Sequence, residues 1–156
     1  MRGVWLFPPT YILHLAEEYL VAGGFTVWAE RALGLSLTDA EFIVWNAAAF
    51  GLMCVGATLV SAAGRFRFVE IALSIAVLGN VAAHAIGSVA TWTYSPGLIT
   101  GLAVWLPLGI VRLRDAQHAV TRKGRIAGWW LGIAVVLVTL AVLALGRADG
   151  HQGARL

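Results

Sequence analysis

The chain has 156 residues, of which 60% are hydrophobic and 12% charged, and its mean hydropathy is +0.82. Soluble domains carry about a quarter charged residues, and a soluble core of this size could not hide so much apolar surface. A bilayer can, because apolar surface faces outward there at no cost. The net charge is +3, and the basic residues cluster in loops between apolar stretches, with no extended basic and aromatic pattern. That is not a nucleic-acid-binding pattern, so no nucleic-acid partner is expected.

The fold class read from this pattern is all-α: a single transmembrane domain, a polytopic membrane helix bundle with about five crossings. The first stretch covers residues 4–21 and is the least hydrophobic. Pro8 and Pro9 place the start of its regular helix near Pro9. Met1 and Arg2 superficially resemble the start of a signal peptide. His14, Glu17 and Glu18 occupy the place of its apolar region, and no small-x-small cleavage site follows, so the segment is read as part of the mature chain. Residues 24–40 read as a loop with a short interfacial helix. The second stretch covers 41–63, with Thr38 and Asp39 as candidate caps and Glu41 as the capping-box acid if Thr38 is the cap. The remaining three cover 66–92, 96–111 and 126–146. Each is near the roughly 20 residues a crossing needs, the first and fourth being short. Four crossings with a re-entrant first segment are the alternative. Trp28, Trp92, Trp129 and Trp130 fall at predicted span ends, where aromatic belts form. Cys54, the single cysteine, lies in an apolar run and reads as a packing residue.

Five crossings divide the 11 basic residues unequally. Arg2, Arg65, Arg67, Arg112, Arg114, Arg122, Lys123 and Arg125 fall on one side, and Arg31, Arg147 and Arg155 on the other. The positive-inside rule then places the N-terminus in the cytoplasm and the C-terminus outside, in a multi-pass protein of the inner membrane.

Ionisable residues inside the apolar stretches carry the chemistry. His14, Glu17 and Glu18 lie within one turn of the first span, and residues three and four apart share a helix face. Ionised side chains at a span centre cost about 2.5–3.5 kcal/mol each, so they are expected to face the bundle interior and to pair or bind an ion. The bland alternative is that the two acids snorkel to the headgroups. In the third span Asn80 and His84 are four apart, with Ser88 continuing the stripe. Hydrogen-bonded helix packing is the bland reading of these. With the first and third spans running outward and the second inward, His14, Glu17, Glu18, Asn80, His84 and Asn46 reach similar depths. Ser95 and Pro96 read as the cap and first residue of the fourth helix, whose N-terminus lies near this cluster and could hold an anionic group. The alternative is an efficient Ser-Pro-Gly turn. Tyr94 reads as a donor to the site or an interface aromatic. His118 and His151 lie in polar segments and carry less weight.

Trp5-Leu-Phe-Pro8 followed by His14-x-x-Glu17-Glu18, then Asn80-x-x-x-His84 and Tyr94-x-Pro96-Gly97, resembles the HXXEE-motif family of small bacterial membrane proteins, whose function is unknown. The resemblance covers residues 4–111 and leaves the last span outside; it implies a site and no particular reaction. CPBP-type intramembrane proteases also use a Glu-Glu pair, but with an Arg four residues after the second Glu, where this chain has Ala22.

Two His and two Glu from two helices suit one transition metal, zinc in the first place. His14, His84 and one of Glu17 and Glu18 would be ligands, and the other Glu would take a proton from a bound water. Asn80 would orient a ligand or polarise a carbonyl, and Asn46, Tyr94 and Ser95 are weaker candidates for substrate contact. The function expected is metal-dependent hydrolysis of a lipidic or other apolar substrate, reached from the bilayer, with membrane lipids as partners and homo-oligomerisation left open. Two alternatives stand beside it. One is a metal-free acid–base isomerase or cyclase of an isoprenoid or sterol-like lipid. The other is a non-enzymatic structural or transport role.

Overall fold

Helix-forming runs interrupted by Gly and Pro give a chain that is helical in nearly all of its parts, and the described residues contain no strand. The computed structural model describes the backbone of residues 2–153 and the side chains of residues 3–64 and 66–144. The side chains of Arg147, His151 and Arg155 therefore lie outside the described residues.

A 3₁₀ turn, Arg2–Leu6, leads directly into α1, Phe7–Leu20. Pro8 and Pro9 sit in the first turn, where their missing N–H groups cost nothing. The short α2, Phe25–Leu33, corresponds to the interfacial segment and ends on a left-handed Gly34. It is followed by α3, Asp39–Ala62, whose start is the expected capping box: Thr38 accepts from the Glu41 amide while the Glu41 carboxylate accepts from the Thr38 amide. After a 3₁₀ turn, Gly64–Phe66, comes α4, Arg67–Thr91.

The fourth predicted span is broken. A turn at 95–97 is followed by a single helical turn, α5, Leu98–Thr100, then by a π-helical segment, Gly101–Trp105, and then by α6, Leu106–His118. Ser95 does not cap this helix as expected; Gly97 does, at φ +100°, a conformation that favours glycine. The last helix, α7, covers Arg122–Gly153.

Among the described residues, three helices are long and apolar enough to cross a membrane: α3, α4, and residues Arg122–Ala144 of α7. The other two predicted spans differ for physical reasons. With its 14 residues α1 is about 21 Å long, short of the roughly 30 Å of a hydrocarbon core. The fourth is interrupted by the π segment, and its C-terminal part carries Arg112, Arg114 and Asp115.

The centre of the bundle is α4, which packs against α3, α6 and α7. Its contact with α7 is close because Gly128 and Gly132 face it. A Cβ on Gly128 would lie 2.6 Å from the Phe68 carbonyl oxygen, and one on Gly132 would lie 2.6 Å from Ile75 Cβ. Small residues four apart let helix backbones approach in this way. The main core is built from the 3₁₀ turn and α1 (Val4, Phe7, Tyr11), α3 (Met53, Ala57) and Trp105. Trp28, expected in an interfacial belt, is instead buried, its indole N–H donating to Thr93 Oγ1 at 2.9 Å. Trp92, Trp129 and Trp130 are exposed.

Candidate functional site

Helix geometry separates the two adjacent acids of α1. Successive side chains on an α-helix are about 100° apart, so Glu17 and Glu18 cannot aim at one point. His14 and Glu18, four apart, do share a face, and their side chains approach to 3.5 Å (His14 Nε2 to Glu18 Oε1). His84, from the C-terminal half of α4, reaches the same oxygen at 3.0 Å through its own Nε2. The two imidazoles meet edge to face with ring centroids 5.2 Å apart. All three residues are buried, at 2%, 6% and 4% exposure for His14, Glu18 and His84.

The far side of each imidazole is held by a hydroxyl. His14 Nδ1 lies 2.8 Å from Thr100 Oγ1, and His84 Nδ1 lies 2.9 Å from Ser95 Oγ. Thr100 Oγ1 also lies 3.4 Å from the Gly97 carbonyl, so its hydroxyl proton can go to that carbonyl or to His14, according to the imidazole tautomer. With the proton on Nδ1, His14 presents the Nε2 lone pair to a carboxylate oxygen; with it on Nε2, that N–H points at Glu18. Nε2 of His14 is buried and has no hydrogen-bond partner. In the Nδ1–H tautomer two electron-rich atoms face each other, an arrangement that a proton or a metal ion between them would satisfy. The donor set fits a metal. His14, Glu18 and His84 each offer one ligand atom, and the three atoms lie within 4.8 Å of one another. Tetrahedral zinc with bonds of about 2.0–2.1 Å separates neighbouring ligand atoms by about 3.3 Å, close to the 3.0 and 3.5 Å spacings around Glu18 Oε1.

Glu17, expected beside Glu18 as ligand or base, is engaged elsewhere. Its Oε1 accepts from the amides of Gly97 at 3.1 Å and Ile99 at 2.9 Å, its Oε2 accepts from the Thr100 amide at 2.6 Å, and the Tyr94 hydroxyl donates to Oε1 as well. From the sequence, the turn before the fourth predicted span reads as a helix start able to hold an anionic group or as a simple turn; its amides here hold the Glu17 carboxylate, a side chain of the same protein. Burial, and after it the bond to Glu17, push the Tyr94 hydroxyl up to about 12, so it stays a donor through the neutral range. This clamp seats the 95–100 turn on the site. A Cβ on Gly97 would fall 2.8 Å from His84 Cε1, 2.9 Å from His14 Cε1 and 3.0 Å from Glu18 Cγ, so only glycine fits both the conformation and the space.

Asn80 does not join this group. It makes no hydrogen bond among the described residues, and its buried Oδ1 has no partner. One turn before His84 it lies about 6 Å nearer the start of α4. Asn46 is held by Tyr11, whose hydroxyl donates to its Oδ1 at 2.6 Å, and its own amide donates to the Phe42 carbonyl at 2.9 Å. Ser95 is drawn in as the His84 partner and Tyr94 as the Glu17 partner, so both lie behind the site.

Two residues that the sequence did not single out complete it. Trp105 stacks on His14 with centroids 3.9 Å apart and planes at 26°, and Thr100 holds the edge of the same ring. Five residues apart, these two would be about 140° apart on an α-helix. The π segment winds less per residue and brings both to His14. A π turn leaves no spacing signal in the sequence. A third omission lies at the opposite end of α4. Glu70, with 0% exposure, accepts from Arg112 Nε at 2.8 Å and from Arg112 Nη2, with Arg67 Nη2 at 3.8 Å. An acid near the start of one predicted span and a basic residue near the end of the next, antiparallel one were the available signal.

No curated protein and no solved structure matches the chain. A family model matches the segment that builds this centre. The family described as "Protein of unknown function with HXXEE motif" matches residues 5–112, from α1 to the middle of α6, and the chain belongs to that family.

Proposed function

We propose that this chain is a multi-pass protein of the inner membrane that holds one divalent cation, zinc in the first place, between His14, Glu18 and His84, and acts as a metal-dependent, hydrolase-type enzyme on a lipidic or other apolar substrate. About five crossings, with the N-terminus cytoplasmic, are part of the same reading and rest on the placement of the basic residues. One observation carries the proposal. Two imidazole Nε2 atoms and one carboxylate oxygen converge, each imidazole is oriented through Nδ1 by a hydroxyl, and His14 Nε2 is buried without a partner.

Two His and one carboxylate are a ligand set of catalytic zinc, which leaves a fourth position for water and lowers the pKa of that water to about 7. Zinc held by His14, Glu18 and His84 would supply a water acidic enough to act at neutral pH without a second carboxylate. This matters because Glu17 is fully committed to the 97–100 amides and cannot take the proton. Thr100 and Ser95 fix the ring orientations and raise ligand basicity, as hydrogen-bond partners of metal-bound histidines do. Trp105 holds the plane of His14. A lipidic substrate follows from the apolar surroundings, which the bilayer reaches most easily.

A metal-free reading is favoured by one distance, the 3.0 Å approach of His84 Nε2 to Glu18, which is ordinary for a direct hydrogen bond. In it Glu18 and the imidazoles exchange protons with an isoprenoid or sterol-like substrate. Metal analysis of the protein purified in detergent without chelator separates the two. About one ion per chain, lost in His14→Ala and in His84→Ala but kept in His118→Ala, supports the metal centre. Wild-type protein without stoichiometric metal moves the assignment to acid–base chemistry.

A further inference from the structure

At the other end of the molecule the start of α7 and the end of α6 enclose a groove of about 400 Å³, lined by Gln117, Arg122, Arg125, Ile126, Trp129 and Trp130. Arg122, Arg125, Ile126 and Trp129 have the i, i+3, i+4, i+7 spacing of a single helix face. Along that face the chemistry changes in one direction. Two guanidinium groups come first, then an aliphatic side chain, then two indoles, with Ile126, Trp129 and Trp130 exposed at 49%, 42% and 68%. The distance from the arginines to Trp129 along the axis is about 6–10 Å, the scale over which a phospholipid passes from phosphate to acyl chain.

The charge on this face is uncompensated. Arg122, Lys123 and Arg125 form no ion pair among the described residues; the ion pairs that do occur on this side belong to Arg67 and Arg112. The first turn of α7 has no acidic residue, and its basic residues stand at the positive end of the helix dipole, where cations are disfavoured. Thr121 takes the amides of Gly124 and Arg125, so the preceding amides of the turn remain open toward the same end. An anion at this position would answer the two arginines and the dipole together, and the indoles beyond it form the amphipathic surface typical of the headgroup level.

We infer that the Gln117/Arg122/Arg125/Trp129 groove binds an anionic phospholipid, its phosphate on the two arginines and its glycerol and upper acyl chain along Ile126 and the two tryptophans. The inference is independent of the metal centre, which lies at the other end of α4 and shares no residue with the groove.

The test is native mass spectrometry of the full chain in neutral detergent, with phosphatidylglycerol, phosphatidylcholine or inorganic phosphate added. The wild type should retain phosphatidylglycerol in preference to phosphatidylcholine, and inorganic phosphate at equal concentration should not displace it. The double variant Arg122→Gln/Arg125→Gln should lose that preference by roughly 30-fold, as expected for two arginines at a lipid headgroup. Arg114→Gln/Lys123→Gln removes the same charge outside the groove and should keep it. Circular dichroism of both variants monitors folding; these are exposed positions, and helix content should not change. Equal retention of the two lipids, equal losses in the two double variants, or displacement by free phosphate would each overturn the assignment.

Discussion

Glu18 and Glu70 are both carboxylates buried in the bundle, at 6% and 0% exposure, yet their surroundings differ in kind. Glu70 is met by Arg112, a permanent cation that binds it through two nitrogens and reaches Asp115 through a third. That pair ties α4 to α6. Glu70 Oε2 makes no hydrogen bond among the described residues, but Arg67 Nη2 lies 3.8 Å from it, so the charges are met by cations of the protein itself. A Cβ on Gly3 would lie 2.5 Å from the Arg112 guanidinium, so the N-terminal turn closes over the pair as well. Glu18 is met by two imidazoles, whose charge depends on protonation, and one of them has an unpartnered nitrogen. A buried acid with an arginine is a strut. A buried acid between two histidines, each oriented from behind, has no permanent cation of the protein beside it among the described residues, and this is why the proposed metal is placed there and not at Glu70. Glu17 is a third case, neutralised by backbone amides at a helix start.

The comparison can be broken at each acid, and the largest effect is expected at the strut. Glu70→Ala leaves the part-buried Arg112 guanidinium with the exposed Asp115 alone as partner and should destabilise the fold by about 3 kcal/mol. Chemical unfolding in detergent checks this, and the folded fraction should still retain metal. Next, Glu17→Gln replaces a charged acceptor of three amides by a neutral one and should cost about 1.5–3 kcal/mol, again without loss of metal stoichiometry. If Glu17→Gln removes the metal while the protein stays folded, Glu17 is part of the centre and the division between the two acids fails. The smallest effect is expected behind the site. Ser95→Ala removes the hydroxyl on His84 Nδ1 and should weaken metal affinity about 10–100-fold with little change in unfolding midpoint, as competition with a chelator would show.

What could be read beforehand follows the range of the interactions. The capping box at Thr38 and Glu41 is local and was legible, as were the apolar helices and the shared face of His14 and Glu18. Pairing α1 with α4 through His84 was legible from depth alone. The separate fate of Glu17 was also present in the sequence, since neighbouring residues on a helix point about 100° apart, but reading the two acids as one unit hid it. The break at 95–105 was not legible. It is held by an anion that is 80 residues away in the chain from the Gly97 amide, and by a π turn that leaves no periodic trace. Asn80 shows the converse, a correct helical spacing to His84 that does not produce a contact, because one turn shifts it away from the centre.

The measurement that bears most directly on the central claim is X-ray absorption at the metal edge, on wild-type protein purified in detergent without chelator. The account predicts one ion per chain with two imidazole nitrogens and carboxylate and water oxygens at about 2.0–2.2 Å, and loss of one imidazole's scattering in His84→Ala reloaded with zinc. A protein that takes up no metal, or an all-oxygen shell unchanged by His84→Ala, would contradict it.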